Sequence, residues 1–443
     1  MAKNLVAVIG AGPAGIFASK ILAAGGAHVV IFNRDLKWGG LAEYGIYPAK
    51  HKMKEGLRNQ FEKILSSPEV DYFGNVVVGK EGDLKLDDLR ALGFQAVLVT
   101  VGAQGTKWLG LPGEDIKGVY HAKELVYHYN NLPPFSHWPF TFGKRVAVVG
   151  VGNVMMDIAR YFIRERKVDE VIAIARRGPA EVKFDKKEFE VVGANVDQDA
   201  LDAEIARVTP LMQAVGQNPA DAKADINAGL PHAQLKTSNT RFTFQFLASP
   251  TRMIGDADNR LIGLELEDNT LIMAGHDTKA KGLGTRRILD CDTVIFAIGD
   301  QVDGQFGLPV IKGEFAKNPT PRFPIENVSY ESFDPATNQP LEGIFLAGWA
   351  RQASTGLVGT ARKDGETGAK VILQYLATLP PLTEINLRGL QHRLDELNKP
   401  IVTKKEIEVL KQIELAEAKQ RGLEEFKFAS NEEMLNALRM VTA

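Results

Sequence analysis

The stretch Val6–Ala18, "VAVIGAGPAGIFA", decides how this chain folds. A short β-branched run leads into three glycines and then into a helical pattern of small and apolar residues. Gly10 allows a tight turn, Gly12 lets a pyrophosphate approach the backbone, and Gly15 lets the helix lie close on its strand. Pro13 and Ala14 open that helix, and its N-terminal N–H groups and dipole favour a bound phosphate. A strand–turn–helix of this form is predicted to hold a dinucleotide.

The same order returns in "RVAVVGVGNVMMDIAR", Arg145–Arg160. Gly150 and Gly152 are in place, while Met155 stands where the third glycine would be. The next apolar run ends in "AIARRGP", which puts Arg176 and Arg177 about 26 residues after Gly150, where a ribose would lie. Two adjacent guanidiniums can clamp a 2′-phosphate through charge-assisted hydrogen bonds, so this second site is expected to take NADP.

The first site needs another dinucleotide. FAD has no 2′-phosphate and needs no arginine clamp. The place where an acid usually grips the ribose holds Asn33, followed by Arg34. An amide can donate to and accept from a ribose hydroxyl, at a cost of about 1 kcal/mol against a carboxylate. Arg34 either stacks on an adenine or is solvated.

Short apolar runs ending in glycine follow each unit: Ala96–Ala103, Thr293–Asp300 and Gly343–Ala350. Strands alternating with helices indicate the α/β class with parallel sheets. The last run lies beyond the second unit, so the expected plan is two Rossmann-like domains, the second inserted into a discontinuous first. The boundaries are set at 1–107 with 331–443, and 108–330. A helix is expected near Ala200 to Val215, and another in the charged stretch from Thr403 to Phe426.

The 443 residues are 44% apolar and 24% charged with a formal charge of −2, which excludes a global field for nucleic acid or anionic lipid. Cys291 is the single cysteine, so neither an internal disulfide, a CxxC pair nor an iron–sulfur cluster can form, and electrons must move through a bound organic cofactor. No metal site is expected. Glycines interrupt the apolar N-terminus, no window is long enough for a membrane span, and the cytoplasm is the expected compartment.

Taken with "GGLAEYGIYP" (Gly39–Pro48), "ARRGPAEVKFDKKEFE" (Ala175–Glu190), "AGWARQASTGLVGT" (Ala347–Thr360) and the closing Leu415–Leu435, these motifs resemble the adrenodoxin reductase-type ferredoxin–NADP reductases, flavoproteins akin to the glutamate synthase small subunit. The resemblance covers nearly the whole chain. It implies that Gly40, Leu41 and Val78 line FAD, and that Gly348, Trp349, Gly356, Leu357 and Val358 hold the isoalloxazine ring. Gly356 would let the nicotinamide stack on the flavin. Gly150, Gly152, Asn153, Val154, Arg176, Arg177 and Glu188 would bind NADP. The family's active-site histidine falls on Lys50, with His51 beside it; Val191 replaces a second acid, with Glu190 adjacent; and "GPTG" has become Ala353–Gly356.

The reaction implied is hydride transfer between NADPH and FAD, then release of single electrons to an external carrier, expected to be an acidic ferredoxin docking on a basic face. Candidate faces are Arg164, Arg166 and Lys167, and Lys279, Lys281, Arg286 and Arg287. The alternatives are an electron-input subunit of a larger NADPH-dependent complex, and a non-redox NADPH-binding module.

Overall fold

The alternation along one strand shows how the first sheet is built. Val6 and Val8 pack on one face, while Leu5, Ala7 and Ile9 pack on the other, because successive side chains point to opposite sides. Apolar residues on both faces suit a strand covered on both sides. The computed structural model describes residues 4–442. In it, Asn4–Ile9 lies inside a six-stranded sheet between Ala96–Val99 and Ala27–Asn33. Val70–Gly74 closes one edge, and Gln339–Leu346 with Glu331–Asp334 closes the other. Every neighbouring pair is parallel except the last, which is antiparallel.

One face of this sheet carries the helices Pro13–Ala24, His51–Leu65 and Val358–Leu376, which bury Phe17, Phe61 and Ile372 among others. Helix Lys404–Arg421 contributes Ile407 and Leu410 to the same core. Its start is set by Thr403 and Glu406, which form a capping box, and its end by Gly422 in the left-handed conformation.

The second unit has a five-stranded parallel sheet in the order Val119–His121, Thr293–Phe296, Arg145–Val149, Glu170–Ile174 and Arg241–Gln245. Helix Asn153–Arg160 follows the strand Arg145–Val149 and runs on into a π-helical turn, Tyr161–Arg166. The helix expected near Ala200 spans Gln198–Gln213. The fold class is thus α/β with two Rossmann-like units. A three-stranded antiparallel sheet, Ala248–Gly255, Leu261–Ala274 and Asp277–Asp290, adds a long hairpin that periodicity alone did not disclose.

The compact units divide the chain differently from the sequence boundaries. One comprises the described chain up to Thr106, Tyr127–His137 and the described chain from Gly299 onward; the other comprises Lys107–Val126 and Trp138–Ile298. Packing explains the difference. Tyr127 and Leu132 bury against Tyr44, and Asp300–Gln301 pairs with Gly105–Thr106. Phe306, Leu308 and Phe315 then join the apolar cluster beneath the first sheet.

Candidate functional site

The three glycines of the first turn have different physical reasons. A Cβ on Gly10, whose φ is +102°, would lie 2.7 Å from the carbonyl oxygen of Thr100, and one on Gly15 would strike the carbonyl of Gly10. Gly12 is different: a Cβ there would meet nothing within 4 Å. Packing therefore fixes the outer two glycines, and the middle one faces open space at the head of helix Pro13–Ala24. That helix has no acid in its first turn and no side-chain cap, so its first N–H groups remain for an anion. Gly40, with φ of +50°, packs a would-be Cβ 3.0 Å from the Cα of Gly12, and Gly39 N–H donates to Ala11 O at 2.8 Å. The two glycine loops thus share one wall.

Ala14 is the joint with the third motif. A Cβ on Gly348 would sit 2.7 Å from the Cβ of Ala14, and one on Gly365 would strike the carbonyl of Ala14. These close approaches bring the Gly348–Ala350 turn against the first helix. Asp364 holds that turn: its carboxylate accepts the Gly348 N–H at 2.6 Å, the Arg351 guanidinium and the Tyr330 hydroxyl at 3.0 Å. The half-buried Trp349 donates its indole N–H to Thr355 O at 3.0 Å, which folds the ring back toward Gly356. Gly356 has φ of +73°, and a side chain there would collide with Thr360. Leu357, 64% exposed, caps helix Val358–Leu376, another helix start without an acid.

Two of the residues expected to contact FAD, Asn33 and Val78, also have structural roles within the chain. Asn33 is buried, and its amide is committed to the protein: Oδ1 accepts Ala11 N–H at 3.0 Å, and Nδ2 donates to Asp35 O and Lys37 O at 2.9 Å each. Only an amide could do both, since a carboxylate has no hydrogen to give. Val78, 6% exposed, packs its side chain in the apolar cluster of the sheet, which leaves its backbone alone for any nucleotide. Leu41 packs beside Tyr44 and Tyr127. Arg34 is exposed and pairs with Asp35 at 3.2 Å.

Lys50 caps helix His51–Leu65, and His51 pairs with Glu424 at 2.7 Å. Beneath them lies a buried ionic network that sequence reading missed. Glu43 accepts from Lys427 at 2.7 Å and from Arg58 at 2.6 and 2.7 Å. Lys54, 1% exposed, donates to Asn130 Oδ1 at 3.0 Å and lies 3.8 Å from Glu425. Burial alone would raise the Glu43 carboxyl, but the Lys427 ammonium and the Arg58 guanidinium outweigh it and hold the group well below the usual range. Burial, reinforced by the Lys427 charge, pushes Lys54 down to about 7.

The second turn repeats the division of labour. A Cβ on Gly150 would strike the carbonyl of Ala297, while one on Gly152 would meet nothing within 4 Å. Met155 is fully buried where a third glycine was wanting. Asn153 and Asp185 exchange hydrogen bonds of 2.7 Å in both directions, and Lys183 N–H reaches Val151 O at 2.8 Å. These tie the turn to the segment carrying Arg176, Arg177 and Glu188. Val154 is 45% exposed and Glu188 half-buried. Arg176 is exposed, whereas Arg177 is held by Asp277 and Thr278.

Both turns fit a dinucleotide: a Cβ on Gly12 or Gly152 would meet open space, and neither following helix carries an acid in its own first turn. The second adds two guanidiniums, which suits a 2′-phosphate. This defines a pyridine-nucleotide flavoprotein oxidoreductase. The family described as pyridine nucleotide-disulphide oxidoreductase matches residues 4–198. NADPH-ferredoxin reductase FprA of Mycobacterium leprae is 28% identical, over 84% of this chain and 84% of its own. The mitochondrial NADPH:adrenodoxin oxidoreductase of Homo sapiens is 26% identical, over 98% of this chain and 91% of its own. The structure of Mycobacterium tuberculosis FprA in complex with NADPH shares the fold, with a TM-score of 0.81 at 24% identity over 99% of this chain and 100% of that one. The chain is a homologue of the adrenodoxin reductase-type ferredoxin–NADP reductases.

Among the described residues, no group of histidine, cysteine and carboxylate side chains could hold a metal ion, and no helix is long and apolar enough to cross a membrane. The basic stretches are partly neutralised. Arg286 and Arg287 pair with Glu265 and Asp268, and Arg164 donates to Val191 O, whereas Lys279 and Lys281 stand exposed.

Proposed function

We propose that the chain is an FAD-dependent oxidoreductase that takes reducing equivalents from NADPH and passes single electrons to a ferredoxin-type carrier. The unit built on Gly10–Gly15 takes FAD, and the unit built on Gly150–Gly152 takes NADPH. One observation carries this reading: two glycine turns whose middle glycines alone face open space, with an arginine pair following only the second. Bound FAD supplies a hydride acceptor that can give up electrons one at a time.

The chain's own residues supply placement. Helix Pro13–Ala24, uncapped by any side chain, would hold the FAD pyrophosphate at its N-terminal N–H groups. Asp364 holds the Gly348 turn, the Trp349 indole donates to Thr355 O beside Gly356, and Gly356, with φ of +73°, lets the backbone turn tightly against Thr360. Transfer between stacked rings needs close approach and little water, and no nucleophile. The electron carrier docks on a basic strip that includes Lys279 and Lys281. A reducing cytoplasm suits the one cysteine, Cys291, which is buried.

The test is steady-state reduction of ferredoxin by NADPH and by NADH. Losing one charge-assisted contact raises KM by about tenfold to a hundredfold. Arg176→Ala with Arg177→Ala should raise KM for NADPH by at least that much and leave KM for NADH within about twofold. An equal response to both coenzymes overturns the clamp.

A further inference from the structure

Arg177 is not a loose surface arginine. Its Nη1 lies 3.2 Å from Asp277 Oδ1 and 3.2 Å from the carbonyl oxygen of Thr278. Asp277 Oδ1 also accepts the N–H of Thr278 at 2.8 Å, so the carboxylate has a fixed aim. Thr278 is itself anchored: it is 7% exposed, and its hydroxyl donates to Glu181, which Gln217 holds at 2.6 Å. The backbone around the arginine pair is clasped as well. Asn269, 3% exposed, donates to Arg176 O at 2.9 Å, and Leu247 N–H donates to Arg177 O at 3.1 Å.

The stereochemistry of the guanidinium then matters. Nη1 has two hydrogens, and Asp277 and Thr278 take both. What remains is the side edge, Nε–H with Nη2, whose parallel donors match two oxygens of a phosphate. We infer that Asp277, at the start of the hairpin strand Asp277–Asp290, is a positioning residue that holds Arg177 with this edge open to the 2′-phosphate of NADPH. The inference rests on the NADPH reading above. Asp277 does not touch the nucleotide; it orders the arginine before binding, so less side-chain freedom is lost on association.

The test is calorimetric binding of adenosine 2′,5′-bisphosphate and of 5′-AMP to the full-length holoprotein, with the ratio of the two dissociation constants as readout. Freeing one immobilised side chain is worth about three- to tenfold in affinity. Asp277→Ala should shift the ratio against the bisphosphate by that factor. Asp277→Asn keeps an acceptor for Nη1 and should stay within about twofold of the parent protein, which a purely electrostatic role would not allow. KM for NADPH relative to NADH should follow the same order. A tighter bisphosphate complex in Asp277→Ala would show that the carboxylate competes for Arg177, and it overturns the inference; so does an unchanged ratio. If Arg177→Ala also leaves the ratio unchanged, the NADPH clamp itself has failed, which is a separate result.

Discussion

Lys427→Met breaks the buried pair that pins the Gly39–Pro48 loop beneath the C-terminal segment. The Glu43 and Lys427 side chains are each 6% exposed and 2.7 Å apart. At an effective dielectric constant of 20 their attraction is roughly 6 kcal/mol, and removing both from water offsets much of it. Losing one partner is another matter, because it strands a buried charge at about 3–5 kcal/mol. Glu43 keeps Arg58 in the variant, so the low end applies: about 3 kcal/mol, measured by urea unfolding at pH 7. Glu43→Gln strands Lys427 and should cost a similar amount. The double variant strands neither, so its loss should be about 3–4 kcal/mol, well short of the sum. The sign with pH follows from the lowered Glu43 pKa. The pair's contribution is present above the unfolded carboxylate value of about 4.3 and is lost as pH falls below it, and Glu43→Gln should flatten that limb. Strictly additive single losses, or losses below about 1 kcal/mol, would refute the buried pair as the pin.

Asn33→Asp, which restores the acid expected at a ribose, should destabilise the apoprotein by about 2–4 kcal/mol in the same assay, because a carboxylate would face the carbonyls of Asp35 and Lys37. Gly12→Ala should leave apoprotein stability within about 0.5 kcal/mol, since the new methyl meets no protein atom, yet abolish FAD binding by fluorescence titration, since in the proposed site it would take the place of the pyrophosphate. Gly356→Ala should slow flavin reduction by about tenfold to a hundredfold in stopped flow, because the added methyl collides with Thr360 and shifts the turn. His28 is raised chiefly by its hydrogen bond to Asp71 and further by Glu69, so it contributes stability that is present below about pH 6.5 and lost as pH rises through the folded value; Asp71→Asn should shrink that slope, worth no more than about 1 kcal/mol, in unfolding measured from pH 5.5 to 8.5.

What could be read from sequence was what depends on neighbours in the chain. The glycine turns, their flanking strands and the arginine pair each lie within about thirty residues, where turn conformation and side-chain period act directly. Glu43 and Lys427 are 384 residues apart, and nothing near either one marks it as paired. Arg177 and Asp277 are 100 apart, joined only because the turn of a long hairpin comes back to the segment that follows strand Glu170–Ile174. Asn33 shows a subtler limit. Its departure from the expected acid was visible, but the two carbonyls that demand an amide belong to the fold of the following loop. Tyr127–His137 joined the first unit for a similar reason: its aromatic residues find Tyr44, far away in sequence.

The most direct measurement is flavin absorbance of the purified chain, before and after anaerobic mixing with NADPH. The expected result is close to one FAD per polypeptide, bleached rapidly by NADPH and at least tenfold more slowly by equal, subsaturating NADH, a gap that Arg176→Ala with Arg177→Ala should close. A chain that takes up no flavin, or one whose flavin NADPH leaves oxidised, would contradict the assignment of the two sites.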